Sequence, residues 1–135
     1  MQSDTDWQAV LHECTDGSDQ ERLSFPQVVG KLMAAGVERY RADLLRHEKT
    51  YYMPDGRSHV VSNAMIAATP AMEFSAAGVD SAVRDIQAGR IAYREFCRRV
   101  MAAGCVDYIV SLSGRRAVYF GRSGESHVEM FPGAR

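Results

Sequence analysis

The stretch KLMAAGVERY, Lys31 to Tyr40, returns as RVMAAGCVDY at Arg99 to Tyr108. Sliding the chain against itself by 68 positions extends the match without a gap. Met33, Ala34, Ala35, Gly36, Tyr40, Leu44, Tyr51, Gly56, Ser58, His59 and Val60 all meet identical residues. Ordinary residue usage would give roughly two such coincidences over a stretch of this length. Self-similarity at a fixed offset marks duplicated supersecondary units.

Each copy carries one periodicity and then another. Phe25, Val28, Val29, Leu32 and Met33 fall on one face of a helix; Tyr93, Phe96, Cys97, Val100 and Met101 repeat that stripe. Ser24 with Gln27 offers a capping box, and Pro26 is tolerated in a first turn. Gly36 and Gly104 stand where a helix needs a left-handed residue to stop. Beyond each glycine the period shortens to two. Tyr40, Ala42 and Leu44 alternate with charged residues, as do Val106, Tyr108, Val110 and Leu112 with Asp107 and Ser111, which predicts strands with one buried face. Second strands follow at KTYYM and AVYFG, hairpin glycines at Gly56 and Gly124, and third strands at SHVV and SHVEMF.

An extra helix is expected before each unit. Ser3 would cap one bearing Trp7, Val10, Leu11 and Cys14, and Asp80 another bearing Ala82, Val83 and Ile86, stopped by Gly89. TDGSDQERL reads as a polar loop, and SNAMIAATPAMEFSAAG as a strand end followed by an irregular crossover. The expected fold is α+β: a helix-plus-three-antiparallel-strand unit over residues 25–61 and again over 93–129, each preceded by an extra helix. The halves would pack as a single domain, residues 1–135, with pseudo-twofold symmetry. Phe25, Val29, Leu32, Phe96, Val100 and Met101 are expected in the core, with Tyr40 and Tyr108 beneath them.

Composition narrows the partners. With 46% apolar and 24% charged residues the chain can bury a core, and a net charge of −1 argues against nucleic acid. The acidic, polar start lacks the pattern of a secretory signal, and no apolar run reaches membrane length, so the chain reads as cytoplasmic. Three cysteines without C-x-x-C spacing suggest neither a disulfide framework nor a zinc site, and Cys14 and Cys97, on apolar helix stripes, read as buried thiols.

IQAGRIAYREFC (Ile86 to Cys97), AAGCVDYIV (Ala102 to Val110) and VYFGRSGESHVEMFP (Val118 to Pro132) resemble the YdfO/YbcV-like family of small uncharacterised bacterial and prophage-borne proteins. Phe25 to Gly56 carries the matching signature in the first half. The resemblance implies a compact α+β domain and supplies no activity, cofactor or substrate.

Chemical signatures are few. No phosphate-binding loop, nucleophile elbow or zinc motif is present, so no cofactor, metal or catalytic residue is assigned. His59 and His127 occupy matching positions, and Glu129 lies two residues past His127 on the same strand face. With Tyr51 and Tyr119 they form the expected ligand-binding set, bordering one groove shared by the two halves. The function expected is a non-catalytic module binding a small ligand or peptide. Alternatives are a protein-interaction factor using an exposed sheet edge, and an enzyme using His127 with Glu129. The partner would be an unidentified small ligand or protein, a homodimer included.

Overall fold

In a computed structural model describing residues 4–132, the elements run α1 (Asp4–Asp19), α2 (Phe25–Ala34), β1 (Arg39–Asp43), β2 (Glu48–Tyr52) and β3 (Ser58–Ser62). They continue α3 (Ala76–Gln87), α4 (Tyr93–Ala102), β4 (Cys105–Ser111), β5 (Arg116–Gly121) and β6 (Ser126–Met130). The strands make one sheet in the order β3-β2-β1-β4-β5-β6, antiparallel at every junction. The fold is therefore α+β, and the helix-then-three-strand order occurs in both halves of the chain.

Alternation decides which side of the sheet is covered. Tyr40, Ala42, Lys49, Tyr51, Val61, Tyr108, Val110, Ala117, Tyr119 and Glu129 are buried, while their strand neighbours are half-buried or exposed except for Asp107, which is buried where the β4 register shifts. α1, α3 and α4 contact the sheet directly, and α2 packs on α1. The core lies between this helix layer and the row of tyrosines. The opposite face carries no helix among the described residues.

Local chemistry sets the helix ends. The Ser24 hydroxyl accepts from the Gln27 N–H at 3.4 Å while the Gln27 side chain accepts from the Ser24 N–H at 2.8 Å, a complete capping box. Gly36 and Gly104 have φ of +84° and +90°, the left-handed values that end α2 and α4. The Ser3 cap lies outside the described residues.

Several expectations need correction. α1 runs through Thr15 to Asp19, into the segment read as loop, because tertiary contacts extend it. Thr15 is buried with its hydroxyl 2.8 Å from that of Tyr51, and Gly17 leaves room for the Leu23 side chain, which a Cβ would meet at 2.4 Å. α3 begins at Ala76, not after Asp80; the Ser75 hydroxyl accepts from the Gly78 N–H at 3.0 Å and caps it, leaving Asp80 inside the helix. Phe25 is 39% exposed and Val29 half-buried, because the buried stripe of α2 follows Val28, Leu32 and Ala35. Phe96, Val100 and Met101 are buried as expected, with Leu32, Tyr40 and Tyr108.

Candidate functional site

The inward face of the sheet holds the five residues singled out, but not together. Tyr51 pairs in register with His59 on one side, and Tyr119 with His127 on the other. β3 and β6 are opposite edges of six strands, so the two histidines stand about 24 Å apart at ordinary strand spacing. The expectation of one groove bordered by both is corrected: the halves join through β1 and β4, which places the third strands as far apart as the sheet allows.

At the β6 edge the chain assembles a polar quartet. Glu129 is only 7% exposed, and its carboxylate accepts from His127 Nε2 at 2.6 Å and from the Arg84 guanidinium of α3. Arg84 also donates to Asp80 one turn earlier, at 3.1 Å. Hydrogen bonding with Glu129 and then with Arg84 holds Asp80 below the ordinary carboxylate range. One ligand atom each of Asp80, His127 and Glu129 falls within 4.8 Å of the others, a spacing that could hold an ion. Arg84 bonds both carboxylates, however, so the chain itself supplies the cation that the trio calls for. A carboxylate that orients an imidazole is also the arrangement of a general base.

The β3 edge is different. His59 Nε2 lies 3.2 Å from His12 Nε2 of α1, and Trp7 stacks edge-on to His59 with ring centroids 6.1 Å apart. Tyr51 is buried and bonded to Thr15, and Tyr119 is buried; loss of water pushes both phenols well above their usual range.

Sequence reasoning passed over two groups. Arg84 and Asp80 form an i,i+4 pair on α3, visible in the sequence but unlinked to Glu129 until the topology brings α3 against β6. Lys49 is 2% exposed, with Nζ 4.6 Å from the Tyr93 ring centroid and 5.6 Å from that of Tyr40. Its signal was present, since Lys49 and Tyr51 occupy alternate positions of one strand and must share a face. Beside it a cavity of about 20 Å³ is lined by Asp19, Ala42, His47, Asn63, Tyr93 and Cys97, among others. That is room for one or two waters, well short of a metabolite.

The outward face is the largest feature without a cover. One cross-strand row reads Val60, Thr50, Arg41, Ile109, Val118, Val128, and Tyr52, Phe120 and Met130 flank it. Val60, Val128 and Met130 are 49%, 48% and 36% exposed. Apolar groups concentrate on β4 to β6, whereas Arg39, Arg41, Asp43 and Glu48 occupy β1 and β2. Those charges are largely spent internally: Arg41 pairs with Asp107, Arg46 with Glu48 at 2.8 Å, and Arg39 lies 4.0 Å over the Tyr52 ring.

These features define a small α+β protein with one helix layer on a six-stranded antiparallel sheet and a polar side-chain cluster at each edge. The chain belongs to the family described as "Protein of unknown function (DUF1398)", whose model matches residues 61–129 and so takes in the whole β6-edge quartet. It is similar to Uncharacterized protein Mb2035 of Mycobacterium bovis and Uncharacterized protein Rv2012 of Mycobacterium tuberculosis. Each is 33% identical over 110 residues, which cover 79% of this chain and 66% of the relative. The chain thus spans just under two thirds of the length of these relatives. Among the described residues no helix is long and apolar enough to cross a membrane.

Proposed function

We propose that the chain is a non-catalytic protein-binding module whose working surface is the outward face of the sheet, and that its occupant is a second copy of the chain. The observation that carries this is the one-sided helix layer, which leaves Val60 and Val128 exposed in mid-strand and Met130 exposed at the end of β6. Contiguous exposed apolar surface marks interaction sites. The apolar half, with Ile109, Val118 and Phe120, carries one exposed charge, Arg116 opposite Met130, and a largely apolar patch of this kind can meet its own copy under a twofold. Six strands of five to seven residues cover about 29 by 17–24 Å, the scale of the ~800 Å² of accessible surface that one partner brings to a standard interface. Val128→Glu tests it: the unmodified chain should sediment as a dimer, and the variant as a monomer with unchanged helix content. An unmodified chain that stays monomeric at high concentration contradicts the reading.

The two halves are, on this proposal, copies related by a pseudo-twofold axis through the middle of the sheet. The register supports it. Arg41 faces Ile109, its own counterpart at the 68-residue offset, and Leu44 donates to Val106 as Leu112 donates to Glu38, at 3.1 and 3.0 Å. The YdfO/YbcV-like and prophage connection, and a cytoplasmic place of action, belong to the same proposal.

A second reading rests on the 2.6 Å contact between His127 and Glu129. It makes the β6 edge a small-ligand site, with Tyr119 behind it, or the acid–base centre of an enzyme. His59 and Tyr51 would then form a separate pocket wall at the β3 edge. His127→Gln that leaves every binding property unchanged removes this reading without touching the first.

A further inference from the structure

Of the chain's sixteen basic residues only two are lysines, Lys31 and Lys49, and the rest are arginines. Lys31 is a surface side chain paired with Glu13 at 3.0 Å. Lys49 is buried under the helix layer and forms no salt bridge among the described residues, although the Asp19 carboxylate attracts it from a distance. Enclosing an amine without a counter-ion is costly. The architecture does not demand it, because the position 68 residues on is Ala117, which is also inward-facing and buried. Lysine is also the one of the two basic side chains that can shed its proton at moderate pH; a guanidinium cannot.

We propose that Lys49 is a reactive-amine site that takes an aldehyde of one or two carbons as an imine. Three observations converge on this. The amine stands against Tyr93, and Ala42 is its register partner on β1; both residues line the adjacent cavity. The cavity's volume of about 20 Å³ sets the size of the carbonyl compound. The rings of Tyr93 and Tyr40, 4.6 and 5.6 Å from Nζ, would hold the cation of a protonated imine by cation–π attraction. Desolvation lowers the amine's basicity, and the groups that face it act weakly by comparison: Cys97 from α4, Asp19 and Cys14 from α1. This favours the neutral, nucleophilic form.

The step balances without any oxidant or reductant. The nitrogen lone pair attacks the carbonyl carbon and forms the C–N bond. The carbonyl oxygen then leaves as water, taking both hydrogens from the neutral amine, and a C=N bond remains, whose nitrogen takes one further proton from solvent to give the cation. The site lies on the helix-covered side of the sheet and does not depend on the outward face.

The test uses the folded full-length chain with formaldehyde and cyanoborohydride at neutral pH, the adduct being located by peptide mass mapping. Lys49 should be modified faster than Lys31, because loss of water lowers the basicity of its amine. Unfolding in urea should erase that preference. Lys31→Arg should retain the Lys49 adduct, and Lys49→Met should lose it. Modification of Lys49 no faster than of Lys31 in the folded chain overturns the proposal.

Discussion

Phe96 and Phe25 show how far burial, not residue type, sets the energetic weight of a side chain. Phe96 is buried on α4 against the rings of Tyr108 and Tyr119, with centroids 6.4 and 6.2 Å away, whereas Phe25 lies at the start of α2 edge-on to Phe131. Phe96→Ala should lower stability by about 3–5 kcal/mol and Phe25→Ala by about 1 kcal/mol in a urea titration. Equal losses would mean that the helix layer is wrongly seated. The thiols make a second test at this scale. Burial raises Cys14 and Cys97 to about 11 and Cys105 to about 12, above the ordinary value of 9.0. Because the unfolded chain releases these protons first, their contribution to stability is complete below pH 9 and is lost as pH rises through 11 to 12. For Cys97 alone the loss is on the order of 3 kcal/mol. Replacing all three by alanine should flatten that part of the alkaline decline, measured by unfolding at a series of pH values. The buried tyrosines, raised from their ordinary value of 10.0, add a decline of their own above pH 10 that the triple variant leaves in place. A decline that the triple variant leaves intact would place the thiols in water.

The elements were the most legible part of the sequence. Capping box, helix-ending glycines and hairpin glycines act within a few residues, so their signals survive without any knowledge of the fold. What the sequence hid at this scale depends on distant partners. α1 outlasts its polar C-terminal turn because Thr15 meets Tyr51, and Gly104 has a duty that Gly36 lacks. A Cβ on Gly36 would meet only Met53 Cε at 3.5 Å, but one on Gly104 would sit 2.3 Å from the Glu73 carbonyl oxygen, where the crossover passes under α4. Gly36→Ala should therefore cost about 1 kcal/mol for its left-handed φ. Gly104→Ala should add about 1–3 kcal/mol of overpacking to that same backbone cost. Denaturant midpoints of the two variants decide it, and a cheaper Gly104→Ala would contradict the path of the crossover.

At the scale of the molecule the two copies of one sequence pattern build a continuous sheet, with β1 against β4 at its centre. Nothing local encodes that junction: Arg39 to Asp43 and Asp107 to Ser111 read as ordinary half-buried strands whichever neighbour they take. The error about the histidines follows directly, since joining the halves at their first strands sends His59 and His127 to opposite edges. Their immediate partners were half visible. Glu129 could be placed beside His127 by strand alternation, while Arg84 and His12 come from helices whose docking no periodicity reveals. The same topology leaves one face of the sheet without helices, and that bare face is the centre of the functional reading. Sedimentation velocity of the unmodified chain over a wide concentration range tests it most directly. The account predicts a monomer–dimer equilibrium that shifts to monomer on dilution and is abolished by Val128→Glu but not by Phe25→Ala. A single monomeric species at every concentration, or a dimer indifferent to Val128→Glu, would contradict it.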